Sequence, residues 1–318
     1  MPLFFFFAGY CFKDKYLSSA RDFVKKKISG IYFPFVKWCL LFLLLHNIFF
    51  HLNIYNGEYG FRGNVSELYS FKDFIVHAFN IITRMSDQEQ LLGGFWFLKS
   101  LFWASLFGFI LIKRVRSLFL GGGIALILSF LCIIANFSIP FFAIGQREFL
   151  ATFFFIFGYF YHVNNWHVER TRWIIPVGII LLGLGVKFWQ CSMLTLQASK
   201  ILPYSCSAII GTLTVLSISQ KLLSCKKIKE FLVYIGDNTL PILTWHFLSF
   251  KIVTLLIIII DGLPIQRMAE FPVIESYALA GWWAAYFIVG VLSPLLLLIL
   301  GKHLKSVIAK HLVYPILR

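Results

Sequence analysis

Charged side chains are scarce in this sequence, 14% of 318 residues, and acidic ones scarcer still, with 14 Asp and Glu against 29 Lys and Arg. A soluble domain carries about 25% charged residues, so a water-exposed globule is excluded. The formal charge of +15 leaves nucleic-acid binding open until the basic residues are placed along the chain. Six cysteines, Cys11, Cys39, Cys132, Cys191, Cys206 and Cys225, fall in or beside apolar runs without paired spacing, which excludes a zinc ribbon or a redox dithiol. They read as small side chains compatible with lipid. Gly121-Gly122-Gly123 lacks the Lys-Ser/Thr of a phosphate loop, and His162 and His167 stand five apart rather than on one helix face, so neither a bound cofactor nor a metal site is expected. Also missing are a secretory signal and repeated halves with matching Gly or Pro breaks.

What the chain has instead is apolar length. Hydrophobic residues make up 59% of it and the mean hydropathy is +0.81. Apolar runs appear at about 32–52, 94–112, 118–135, 147–163, 172–190, 203–220, 238–260 and 278–300, each near the roughly 20 residues that a helix needs to cross a bilayer. A ninth run, Met1 to Phe12, spans roughly 18 Å of a core about 30 Å thick. The fold class is therefore all-α: a polytopic transmembrane helix bundle of eight full helices plus an N-terminal partial helix, forming one membrane-embedded domain over 1–318.

The basic residues orient it. Nineteen lie in one alternate set of loops: Lys13, Lys15, Arg21 and Lys25 to Lys27; Lys113, Arg114 and Arg116; Arg170 and Arg172; Lys221, Lys226, Lys227 and Lys229; and Lys302, Lys305, Lys310 and Arg318. Seven lie in the other set: Arg62, Lys72, Arg84, Arg147, Lys187, Lys200 and Arg267. The bias makes the loops 13–31, 113–117, 164–171 and 221–237 and the tail from Lys302 cytoplasmic, and turns 53–93 outward. Basic charge so distributed serves topology rather than nucleic acid. Within 53–93, Phe71 to Arg84 has helical apolar spacing but is too short to span, as in an interfacial helix. The partial helix at Met1 would start outside with no basic residue before it, so a preceding helix is expected upstream.

Four stretches now carry a resemblance: Met1–Tyr10; Phe23–Trp38 with its Lys25-Lys26-Lys27 and Pro34; Gly94–Phe102 (GFWFLKSLF); and Ile235–Lys251 (IGDNTLPILTWHFLSFK), with Arg147–Tyr159 as a weaker fifth. In this order they resemble the acyltransferase family 3 membrane proteins, which include O-acetyltransferases of cell-surface sugars. The resemblance implies ten helices and transfer of an acyl group, typically acetyl, from cytoplasmic acyl-CoA as co-substrate to a hydroxyl of a glycan or lipid-linked sugar. It implies a multi-pass protein of a bacterial cell membrane whose partners are the lipid bilayer, acyl-CoA and the glycan acceptor. The family's first helix bears an Arg and a His with catalytic roles, and no position of this sequence matches them. An inactive relative and a flippase for lipid-linked sugars are the rival readings.

Within these stretches, individual residues offer chemistry. On the helix from Asn238, the residues Asn238, Trp245 and Ser249 share a face, with Thr239 and His246 adjacent, and polar faces in membrane helices turn inward or to a cavity. His246 is the candidate catalytic residue, as a general base or as a hydrogen-bonding orienter of the acceptor hydroxyl, since neutral imidazole accepts a proton near neutral pH, with the principal His expected on the preceding helix; interhelical hydrogen bonding is the structural alternative. His46, His51, His77, His162, His167, His303 and His311 lack such company in the sequence. Trp96, Lys99, Ser100 and Trp103 occupy one helical face, fitting a sugar or acyl pocket with an ammonium to polarise a carbonyl, or else an interface belt with a snorkelling lysine. Arg147, Glu148 and Lys251 gather at similar depth and complete the candidate substrate contacts, with Glu148 a candidate partner for Lys251, whose charge needs one. Lys25 to Lys27 could meet CoA phosphates or merely serve topology.

Overall fold

The computed structural model describes residues 1–60, 65–115, 117–188 and 192–313, without the side chains of 304–306 and 308–313. Arg62, Arg116, Cys191 and Arg318 lie outside the described residues, as do the side chains of Lys305, Lys310 and His311. The chain is all-α, and its only extended pairing among the described residues is one isolated bridge between Ile139 and Ile144. Five helical stretches are long and apolar enough to cross a membrane: Ala20–Leu44, Gln90–Val115, Ala198–Leu222, Thr239–Asp261 and Glu275–His303. Leu118–Ile134 and Ile174–Phe188 are apolar but shorter, at 17 and 15 residues, and Gln146–Val163 has 18. The expected eight spans thus each have a helix, five of which meet the length and composition of a full crossing.

The first span differs in place from the expected 32–52. Helices α1 (Pro2–Tyr10), α2 (Lys15–Ser18) and α3 (Ala20–Lys27) come first, and a π-helical stretch, Ile28–Tyr32, joins α3 to α4 (Phe33–Leu44) without interruption. A turn at Leu45 then ends the span, and α5 (His46–His51) stands apart. The expected loop 13–31 is therefore largely helical, because wide π turns absorb the Gly30 region instead of breaking the helix. The loop 221–237 likewise contains a helix, described below.

The chain divides into two compact units. One comprises Met1–Phe35, Thr83–Met85 and Trp96–Phe231 and holds α1 to α3 with α7 (Trp96–Val115), α8 (Leu118–Ile134), α9 (Gln146–Val163), α10 (Ile174–Phe188) and α11 (Ile201–Leu222). Its centre is the α1–α9 pair. A Cβ added at Gly9 would stand 1.8 Å from the Phe155 carbonyl oxygen, and one at Gly158 would stand 2.0 Å from that of Phe6. The two backbones touch, as small residues allow between membrane helices. Around this crossing Phe12, Phe23, Phe109, Phe155 and Tyr159 form a buried aromatic core, with Phe23 stacked on Phe109 at 5.0 Å. Beyond α9, buried Glu169 receives the Tyr161 hydroxyl and, at 2.9 Å, the Gln220 amide, tying α9 to α11. Burial alone would raise the Glu169 carboxyl, but hydrogen bonds from Tyr161, its own backbone N–H and Gln220 outweigh it and leave the carboxyl below its ordinary value.

The other unit comprises Val36–Ile82, Ser86–Phe95 and Leu232–Arg318. It holds most of α4, then α5, α6 (Phe71–Arg84), the end of α12 (Lys226–Asp237), α13 (Thr239–Asp261), the short α14 (Glu275–Tyr277) and α15 (Trp283–Val313). The C-terminal end of helix α13 is apolar on both its inner and outer sides: Val253, Ile257 and Ile258 are buried while Ile259 and Ile260 are exposed, the pattern of a helix whose outer face meets lipid. It packs on α15, where a Cβ at Gly290 would fall 2.3 Å from the Phe250 ring and the Thr254 and Tyr286 hydroxyls lie 3.1 Å apart. Gly262, at φ +61°, ends α13 in the left-handed conformation that suits a residue without a side chain.

The α1–α9 crossing yields a stability prediction. Gly158→Ala should destabilise the protein by about 1–3 kcal/mol, the range for forcing a methyl into a packed interface, measured as a lowered melting temperature in detergent. Gly123→Ala, where nothing lies within 4 Å, should leave the melting temperature unchanged.

Candidate functional site

The residues singled out in the sequence fall into two groups, one in each unit. In the first unit, α7 carries Trp96, Lys99, Ser100 and Trp103, with Lys99 and Ser100 buried. Helix α9 begins at Gln146, so Arg147 and Glu148 occupy its first turn, where a carboxylate is favoured by the unpaired N–H groups of a helix start. Glu148 is 1% exposed. It accepts the Ser100 hydroxyl at 2.8 Å and the Gly145 backbone N–H at 2.9 Å, capping its own helix and pinning α7 to α9. The Arg147 guanidinium lies 5.9 Å from the Trp96 ring centre, within cation–π range. Beside Arg147 and Glu148 opens a cavity of about 500 Å³, lined also by Asn136, Ser138 and Gln146. The Trp103 indole N–H is buried without a hydrogen-bond partner among the described residues.

In the second unit the expected polar face of α13 resolves into separate tasks. The Asn238 amide, at the start of the helix, donates to the Tyr234 carbonyl at 2.8 Å, and the Thr239 hydroxyl donates to that of Gly236 at 2.7 Å. Trp245 packs edge-on against Trp38 at 5.5 Å and at a tilt against Phe42 at 5.4 Å. Ser249 is buried. The Lys251 ammonium donates to the Glu270 backbone carbonyl at 2.6 Å, and the Glu270 carboxylate pairs with Arg267. Glu148 is thus not the partner of Lys251: its carboxylate is held by Ser100 and Gly145, while the loop that follows α13 brings Glu270 back to Lys251.

His246 keeps one ring nitrogen uncommitted. Its Nδ1 faces the carbonyls of Ile242 at 3.1 Å and Leu243 at 2.9 Å. A carbonyl only accepts, so Nδ1 carries the proton and Nε2 keeps its lone pair. No partner meets Nε2 among the described residues. The Gly93-Gly94 turn makes room beside the ring: a Cβ at Gly94 would lie 3.0 Å from the Leu243 side chain and 3.8 Å from His246 Cε1. Two stretches far apart in sequence, Gly94–Phe102 and Ile235–Lys251, therefore meet at Gly94 and His246.

The structure also corrects the view that His46 and His77 lack company. His46 is fully buried, its Nδ1 3.1 Å from a Glu89 oxygen and its Nε2 3.0 Å from the Glu67 carbonyl. Nε2 must donate to that carbonyl, so the Nδ1–carboxylate contact holds one further shared proton. The Tyr69 ring stacks on His46 at 3.5 Å and on His77 at 4.7 Å, and His77 meets Asp87 at 3.2 Å. Asn47 clamps both backbone groups of Tyr69. No spacing rule reveals this cluster, since His46 and Glu89 are 43 residues apart; the adjacent His46-Asn47 pair at a helix start was the faint signal. It ties the end of the first span to Glu67, Tyr69 and Glu89, and among the described residues no group of three metal-ligating side chains occurs.

Compared with known proteins, the chain matches the model of acyltransferase family 3, an acyltransferase domain, over residues 1–302. No curated protein and no solved structure matches it. The buried pair gives a test of the geometry: Glu89→Ala, which strands Nδ1 of His46, should cost about 1–3 kcal/mol, the penalty for leaving a buried polar group without its partner. The melting temperature of the variant measures this, and faster proteolysis within 53–93 should accompany it.

Proposed function

Since the chain belongs to acyltransferase family 3 and is a membrane acyltransferase, we propose that it moves an acyl group, acetyl in the simplest case, from cytoplasmic acyl-CoA to a hydroxyl of a cell-surface or lipid-linked sugar. The observation that carries this reading is the free Nε2 of His246, fixed as an acceptor by the two carbonyls that hold Nδ1. In the proposed step Nε2 takes the proton of the acceptor hydroxyl. The oxygen then bonds to the thioester carbonyl carbon, the carbon–sulfur bond breaks, and the CoA thiolate leaves with the proton from the imidazolium. The oxyanion formed in passing needs a hydrogen-bond donor. Asn238, Ser249 and Lys251 are the proposed substrate contacts of the second unit, and Trp96, Lys99, Trp103, Arg147 and Glu148 those of the first. By the charge bias of the loops the C-terminus is cytoplasmic, so acyl-CoA meets the basic face.

His246→Ala should lower kcat about 10²–10⁴-fold, the usual contribution of a general base, while the KM for acyl-CoA stays within twofold. Transfer of radiolabelled acetyl from acetyl-CoA to a glycan in membrane vesicles measures both. A His246→Ala protein that is folded and fully active removes His246 from the mechanism.

A further inference from the structure

A polar cavity opens beside the first turn of α9. All its lining lies in the first unit, on the end of α8, the 135–145 connection, the first turn of α9, and Leu194 and Leu196. At about 500 Å³ it falls within the size range of small-molecule sites. Its two ionic side chains are placed differently. Glu148 is turned inward and already accepts two hydrogen bonds, from Ser100 and Gly145. Arg147 is half-buried, is supported by the Trp96 ring, and has no carboxylate within ion-pair distance among the described residues. A guanidinium in such a recess, with five donors and no anion, is built to receive one, commonly through two parallel hydrogen bonds. Around it, Asn136, Ser138 and Gln146 offer both donors and acceptors, the complement of a ring bearing several hydroxyls.

We propose that this cavity binds an anionic carbohydrate, with Arg147 holding its carboxylate or phosphate and the neighbouring amides and hydroxyl reading its ring hydroxyls. The proposal rests on the acyltransferase reading and deepens it: the acceptor is an acidic sugar rather than a neutral one. The charge bias assigns this end of α8 and α9 to the outer face, so the acceptor reaches the cavity from outside.

Cys132 lines the cavity and supplies a reporter independent of catalysis. In nanodiscs of phosphatidylcholine, a variant with Cys11, Cys39, Cys191, Cys206 and Cys225 replaced by Ser is labelled at Cys132 with a small maleimide in the presence of glucuronate, glucose 6-phosphate or glucose. Glucuronate or the sugar phosphate should slow labelling about tenfold or more at a concentration where glucose has no effect, on the scale of a charge-assisted hydrogen bond. Whichever of the two protects better identifies carboxylate or phosphate as the anion. Arg147→Gln should abolish the protection and Arg147→Lys should keep part of it, both at an unchanged melting temperature. Equal protection by glucose, undiminished protection in Arg147→Gln, or protection by phosphatidylglycerol in the nanodisc without any sugar would each overturn the proposal. Protection without acetyl transfer would keep the site and remove the acyltransferase reading. Acetyl transfer to neutral glycans without protection would do the reverse.

Discussion

A polar group on a helix in hydrocarbon has to find its partner inside the protein, because no water is there to replace one. Several threonine hydroxyls in this chain meet that demand within one turn. Thr152 donates to the Glu148 carbonyl, Thr212 to Ala208, Thr214 to Ile210 and Thr244 to Leu240. Groups that a single helix cannot satisfy are the ones that organise the fold. Glu148 needs Ser100 from α7 and the Gly145 N–H, and Lys251 needs the Glu270 carbonyl from the loop beyond α13. In each unit the ionisable residue therefore determines which segments come together. His246 satisfies one ring nitrogen within its own helix and leaves the other open, which is what separates a candidate base from structural hydrogen bonding.

The periodic part of this architecture was legible in the sequence. Runs of about 20 apolar residues announce membrane helices because the hydrocarbon thickness sets their length, and the helix at Phe71–Arg84 followed from its spacing. The family was legible too, since Met1–Tyr10, Gly94–Phe102 and Ile235–Lys251 lie within the matched residues 1–302. Where one span yields to the next helix was less legible. Ile28–Tyr32 continues as a π-helix through Gly30, so the first span begins a dozen residues before its apolar run suggests. Partners distant in sequence were not legible at all. Lys251 takes Glu270 instead of Glu148, and His46 takes Glu89, because helix spacing reports only neighbours within a few turns.

These pairings shape the chemistry open to the protein. A chain with so few ionisable groups inside has little general acid–base capacity to distribute, and most of its buried carboxylates and ammoniums are committed to neighbouring side chains or to backbone. Among the described residues, the groups outside such pairings include the Nε2 of His246 in one unit and the Arg147 guanidinium in the other. A proton acceptor and an anion receptor are two of the functions that transfer to a sugar hydroxyl requires; the thioester itself supplies the reactive carbon and the leaving group.

The most direct test of this account is whether the purified protein, reconstituted in liposomes, consumes an acyl thioester in step with a sugar. Acetyl-CoA would be supplied to the basic face and an acidic oligosaccharide to the other, with free CoA thiol and acetylated sugar measured together. The account predicts one thiol released per acetyl group gained, and neither product when the sugar is omitted. Movement of the sugar across the bilayer with no thiol released and no acetyl gained would contradict it.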